Sequence, residues 1–143
     1  YLKEISRDNA RTPMQWDDSK NAGFTDGTPW ISVNPNYKEI NAKAALADPD
    51  SVFHYYQELI RLRHTLPIIV YGKFQGLLED SETIYAYKRI LDGQVLTVAC
   101  NFTDQEQDCV LCEDPAAEEL ISNYKGHKAG KLQPYEARVI LHK

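Results

Sequence analysis

The run Ile84-Tyr85-Ala86-Tyr87-Lys88-Arg89-Ile90-Leu91-Asp92-Gly93-Gln94-Val95-Leu96-Thr97-Val98-Ala99-Cys100-Asn101-Phe102 decides the fold. It holds two stretches rich in β-branched and aromatic residues, divided by an Asp-Gly pair. Asp-Gly between two such stretches is a strong hairpin signal, because both turn residues must adopt positive φ. Strands are therefore expected at 84–89 and 95–102, around the turn Leu91-Asp92-Gly93-Gln94. The same two-residue period recurs on both sides and predicts further strands at 70–78, 107–111, 118–122 and 137–142. Turn signals separate them at Glu79-Asp80-Ser81, Thr103-Asp104, Asp114-Pro115 and around Gly126 and Gly130. Many short strands at regular spacing predict an antiparallel β-sandwich over 68–143.

Upstream the period changes. From about Pro49 to Leu66, Val52, Phe53, Tyr56, Leu59 and Ile60 recur at helical spacing, and Tyr55, Leu59, Leu62 and Leu66 form an adjoining stripe. The apolar face is wide enough to predict burial on more than one side. Arg61, Arg63 and His64 fall in the last turns, where positive charge complements the helix dipole, and Pro67 ends the helix. Residues 1–48 are rich in Asn, Asp, Pro, Gly and Trp and read as loop with short helical turns. Nearly 50 residues of irregular chain is long for a free-standing domain, so a larger scaffold beneath it is expected. The chain begins at Tyr1, not Met, and neither a basic nor an apolar leader region follows. Processing, a removed tag or a piece of a longer protein all fit that start.

Composition narrows the function classes. The chain has 143 residues, 43% hydrophobic and 26% charged, close to the globular average. That argues against a disordered tail, a collagen-like chain or a coiled-coil rod. A net charge of −5 gives nucleic-acid binding no electrostatic support. No apolar run approaches the roughly 20 residues of a membrane helix. Three cysteines are too few for a disulfide scaffold and fit reduced thiols in the cytoplasm.

Most chemistry-bearing residues read as structural. Cys109 and Cys112 have CxxC spacing, but there is no second pair for a zinc ribbon and no helix start to activate a thiol. They lie at a strand end, where positions three apart are expected on opposite faces. Cys100 reads as a small buried hydrophobe. The four histidines are scattered, so no metal site and no cofactor is expected. No GxSxG elbow and no phosphate loop occurs. Asp17-Asp18, Asp48 with Asp50, and Glu118-Glu119 read as solvated or capping pairs. The segment Ser6-Arg7-Asp8-Asn9-Ala10-Arg11-Thr12-Pro13-Met14-Gln15-Trp16-Asp17 has two readings. Its planar donors, acceptors and indole suit a sugar. They equally suit a loop whose polar groups satisfy one another while Trp16 anchors it.

A resemblance bears on that choice. The run 8–17 resembles the loop signature of bacterial oligo-1,6-glucosidases and their relatives in the α-amylase superfamily of glycoside hydrolases. The likeness continues through Asn21-Ala22-Gly23-Phe24-Thr25, Pro29-Trp30-Ile31, Val33-Asn34-Pro35-Asn36-Tyr37 and Ile40-Asn41. It goes on from Asp48-Pro49-Asp50-Ser51-Val52-Phe53-His54-Tyr55-Tyr56 to Leu62-Arg63. It covers the first 70 residues almost without a gap, and the β-rich remainder less specifically.

The resemblance implies an α+β fragment. Residues 1–67 would be the last loop and helix of a (β/α)8 barrel, and 68–143 an antiparallel β-sandwich C-terminal domain. The implied parent is a retaining α-glucosidase that frees glucose from non-reducing ends of short α-1,6-linked, or alternatively α-1,4-linked, oligosaccharides. Its catalytic carboxylates would lie upstream, so no residue here is assigned as catalytic and the isolated chain is expected to be inactive. Arg11 matches the arginine that closes the pocket around the terminal glucose in relatives. Asp8 and Asn9 are expected beside it in substrate binding, orienting Arg11. Trp16 and Trp30 are assigned to packing. The expected partner is an oligosaccharide, with no nucleic acid and no membrane. Self-association is expected through the helix face at 50–66. Alternatives are part of a trehalose-6-phosphate hydrolase or sucrose isomerase, or a non-catalytic β module that binds carbohydrate or a partner. Against the module, Tyr85, Tyr87, Tyr124 and Tyr135 are too scattered in sequence to suggest an aromatic row.

Overall fold

The structure, a computed structural model, describes residues 7–143, with the backbone alone at Arg7 and Asn9. The chain divides into two compact units, 1–57 and 58–143, with one long helix shared across the division.

The first unit is built from turns. Short 3-10 turns occupy Arg7–Ala10, Lys20–Gly23 and Pro35–Lys38, and one helix, α1, spans Ala42–Ala47. Asn41 caps α1: its Oδ1 accepts from Ala44 N at 2.8 Å while its Nδ2 donates to Tyr37 O at 2.9 Å. Its side chain is thus used at both ends, which suits an amide that is nearly buried. Asn21, Ala22 and Gly23 are all left-handed, with φ of 55°, 58° and 67°. Ala22 is fully buried there, a costly conformation for a residue with a Cβ.

Helix α2 runs Val52–Thr65. It starts later than Pro49 because Asp48 to Ser51 form a turn, with Ser51 N donating to Asp48 O at 3.1 Å and Asp48 Oδ1 accepting from Asp50 N at 2.9 Å. Only Leu62 of α2 is buried. Val52, Phe53, Tyr56 and Ile60 are exposed, so the wide apolar face lies open.

The expected strand at 70–78 needs correction at its start. Pro67–Tyr71 is a short helix, α3, with Pro67 in its first turn. The β-branched run Ile68-Ile69-Val70 reads as strand, but Pro67 presets a helical φ and lacks only a hydrogen bond the first turn would not make. Ile68 is thereby delivered, 1% exposed, into the core with Leu96, Val98 and Leu141.

The strands are β1 (Lys73–Leu77), β2 (Ile84–Leu91), β3 (Gln94–Asn101), β4 (Gln107–Asp108), β5 (Glu118–Ser122), β6 (Lys131–Leu132) and β7 (Ala137–His142). The main sheet has the antiparallel order β1-β2-β3-β7-β5, and β4 pairs with β6 in a second sheet. The β2–β3 turn has Asp92 at φ 49° and Gly93 at φ 83°, as an Asp-Gly hairpin requires. β3 is central and buried on both faces from Leu96 to Ala99. One face of the sheet carries Ile84, Ala86, Ala99 and Ile140 against Cys109, Cys112 and Leu132. The other carries Leu96, Val98 and Leu141 against Ile68. The second layer is therefore a two-stranded ribbon plus turns, smaller than the facing sheet of an even sandwich.

The strand expected at 107–111 ends at Asp108 because the chain turns, with Glu113 N donating to Val110 O at 3.3 Å. That turn also corrects the expectation for Cys109 and Cys112. Both point into one buried cluster, not to opposite faces. Burial pushes the Cys112 thiol up to about 12, and it raises Cys109 as well.

Candidate functional site

The segment from Asp8 to Asp17 leaves the 3-10 turn Arg7–Ala10, where Arg11 N donates to Asp8 O at 3.0 Å. Arg11 is exposed, and its guanidinium has no partner among the described residues. Asp8 is exposed as well. The side chain of Asn9 lies outside the described residues. Arg11 and Asp8 are therefore joined through the backbone of one turn. Pro13, two residues after Arg11, is buried.

Beyond Pro13 the chain is held from two sides. Trp16 N and Asp17 N both donate to Ala22 O, at 2.9 and 3.2 Å, while Gln15 O and Trp16 O accept from Ala42 N and Lys43 N at 2.9 and 3.0 Å. Gln15 Nε2 donates to Asn36 Oδ1 at 3.0 Å and also to Ile40 O. The left-handed turn is what aims Ala22 O at two N–H groups at once. Asn21 closes the same turn from outside, its Nδ2 donating to Thr25 O at 2.9 Å and Gly27 O at 2.8 Å. Gly23 lies so close to Asp17 that a Cβ would stand 2.8 Å from Oδ1. The Asp17 carboxyl is held below its ordinary value, chiefly by the Ser19 hydroxyl at 2.5 Å and then by Ser19 N at 2.9 Å.

The two indoles differ. Trp16 is about half-buried, at 53% exposed, whereas Trp30 is 97% exposed among the described residues. Among the described residues no group of three or more His, Cys, Asp or Glu is placed to hold a metal ion, and no helix is long and apolar enough to cross a membrane.

A family profile described as "Alpha amylase, catalytic domain" matches residues 1–72, half of the chain. The chain belongs to the α-amylase family.

Among relatives, the oligo-1,6-glucosidase of Halalkalibacterium halodurans is 54% identical over 147 aligned positions, covering 96% of this chain and 26% of that protein. A solved variant of the trehalose-6-phosphate hydrolase of Bacillus licheniformis superposes with a TM-score of 0.88 at 44% identity, over 98% of this chain and 27% of that one. The isomaltulose synthase of a Klebsiella species superposes at 0.86 and 42% identity, over 96% and 26%. This α-amylase-family chain thus spans about a quarter of the length of the relatives it matches. The family profile stops at residue 72, one residue before β1 begins, so the sheet falls outside the part matched as catalytic domain.

Arg11 lies in a run of ten consecutive residues that marks it, whereas a second group of side chains is brought together only by strand pairing. Phe74 and Tyr87 rings lie 5.3 Å apart, and Tyr85 and Tyr87 rings 5.8 Å apart, on strands paired by β1–β2 registry. The strands thus do carry an aromatic group, and Phe74 is the member that a survey of tyrosines passes over.

Proposed function

We propose that this chain acts as the C-terminal part of a retaining α-glucosidase that removes glucose from non-reducing ends of short α-1,6-linked oligosaccharides. In this reading residues 1–67 complete the catalytic barrel and 68–143 form the C-terminal β domain. The observation that carries the reading is Arg11: an exposed guanidinium with no partner among the described residues, just ahead of a segment pinned by hydrogen bonds on both sides. A guanidinium can serve a carboxylate and a sugar hydroxyl together, because its five donors lie in one rigid plane. Asp8 and Asn9, in the same turn, are assigned with it to substrate binding. Three free thiols support a reducing, cytoplasmic setting.

The likeness to a trehalose-6-phosphate hydrolase and an isomaltulose synthase shows that the fold does not choose a substrate. The names of the sequence relatives favour the α-1,6-glucosidase reading over those two. No carboxylate of this chain is given a catalytic part, so the chain alone is inactive in this reading.

The test is a chimera in which this chain replaces the matching quarter of the Halalkalibacterium halodurans oligo-1,6-glucosidase. It should hydrolyse isomaltose, and the 143-residue chain alone should not. Arg11→Ala in the chimera should lower kcat/KM at least about tenfold, or ~1.4 kcal/mol of transition-state stabilisation. Unchanged kinetics in that variant, or turnover by the chain alone, would overturn the reading.

A further inference from the structure

The loop between β1 and β2 encloses one side of an open cleft of about 400 Å³ at the edge of the main sheet. Three rings line it with much of their surface in water: Phe102 is 68% exposed, Phe74 53% and Tyr85 52%. Side chains of this size are seldom left open together without a use. The same cleft is lined by Glu79, Glu82 and Ser81. Neither carboxylate has a partner among the described residues.

The loop is shaped at a cost. Leu78 has φ of 52°, a left-handed conformation that a leucine rarely adopts, and Ser81 N donates to Leu78 O at 2.9 Å to close the turn. Strain of this kind persists where the surroundings enforce it, and it concentrates at binding sites. Gly76 shows what the turn achieves. A Cβ there would stand 2.7 Å from Glu79 Oε1, so the missing side chain is what lets the Glu79 carboxylate fold back over β1. Ser81 Oγ accepts from Ile84 N at 3.0 Å and Thr83 N at 3.4 Å, which leaves its own proton to donate.

We infer that this cleft is an accessory site for a neutral oligosaccharide, with the rings as platforms for sugar faces and Glu79, Glu82 and Ser81 as partners for hydroxyls. The choice of a glucan as ligand rests on the glucosidase reading above. The chemistry of the lining supports it independently. Pyranose rings have apolar faces that stack on aromatic side chains, and hydroxyls both give and take hydrogen bonds. Two carboxylates with no lysine or arginine in the lining repel a phosphorylated sugar. A cation would need acceptors only, whereas here a hydroxyl proton is also presented. A site of this kind would hold an oligosaccharide on the protein apart from the pocket to which Arg11 is assigned.

The test uses the 143-residue chain, labelled with nitrogen-15 and titrated separately with isomaltotriose, glucose 6-phosphate and argininamide. Isomaltotriose is expected to move the amides of 74–86 and 102 at millimolar concentration, with the other two ligands weaker there. Phe102→Ala and Tyr85→Ala should each weaken binding about fivefold, the scale of one lost ring contact. Glu82→Gln, which keeps the shape, should keep a native amide spectrum and weaken binding too. Shifts confined to 8–17, no shifts, or a stronger response to argininamide or glucose 6-phosphate would overturn the proposal. So would a Glu82→Gln chain that folds and binds as the parent does. Any of those failures leaves hydrolysis by the chimera untouched, so the two readings stand or fall separately.

Discussion

Arg138 and Glu136 lock to each other, Nε to Oε1 at 3.0 Å, with 3% and 0% of their side chains exposed. Glu136 Oε2 meanwhile accepts from Gln133 N at 2.7 Å, and Arg138 donates to Lys131 O at 3.4 Å. The pair ties the start of β7 to β6. A buried ion pair gains little over an apolar pair of the same size, but its halves are costly alone. Glu136→Ala should therefore lower stability by about 3–5 kcal/mol in urea unfolding, and the double variant Glu136→Leu/Arg138→Met by clearly less. Equal losses in single and double variants would show that shape, not the unpaired charge, sets the cost.

Glu106 gives a prediction in acid. Lys128 first, and then Lys131 at 2.7 Å, hold its carboxyl down at about 2. A depressed carboxyl stabilises the fold fully above its unfolded value of 4.5, and that contribution is lost as pH falls toward 2. The melting temperature of the chain should fall over that window, and Glu106→Gln should fall less over the same window. Parallel curves for the two chains would remove the Lys–Glu link from the acid response.

The cysteines should be inert while the chain is folded. Cys112 lies near 12 and Cys109 is raised, in both cases mainly through burial. Alkylation of either by iodoacetamide at mildly alkaline pH should be at least about a hundredfold slower than in the unfolded chain. Rapid labelling of Cys112 in the folded chain would contradict the burial described for it.

Gly72 sits where two elements meet. A Cβ there would lie 2.4 Å from Ile68 O and 3.0 Å from Arg89 Cβ, and neither is a flexible tip. Gly72→Ala should therefore cost about 1–3 kcal/mol, as overpacking does. A neutral result in urea unfolding would mean that α3 can slide.

Much of the second unit could be read from residues alone, because its signals are local. Asp92-Gly93 set the hairpin, and strands 118–122 and 137–142 agree with β5 and β7 residue for residue. What could not be read depended on contacts far apart in sequence. Pro67 can start a helix by its own φ, but the β-branched run after it follows because Ile68 has a core to enter. β6, two residues long, exists through its pairing with Gln107 and Asp108. The aromatic cleft gathers Phe74, Tyr85 and Phe102 from three separate places. In the first unit, the ten-residue run around Arg11 pointed to a sugar site by resemblance, whereas the turn that pins its second half is set by Ala22, a residue with no chemistry of its own to notice.

The strand order has a consequence for how the protein is made. Among the described residues β5 has only β7 as a neighbour in its sheet, and β7 emerges from the ribosome after it. Until Ala137–His142 have been synthesised, Glu118–Ser122 have no strand to join, and one edge of β3 stands open. A nascent chain stalled short of β7 would thus display the unpaired edge of its most apolar strand, which makes it a natural client for chaperones at that moment.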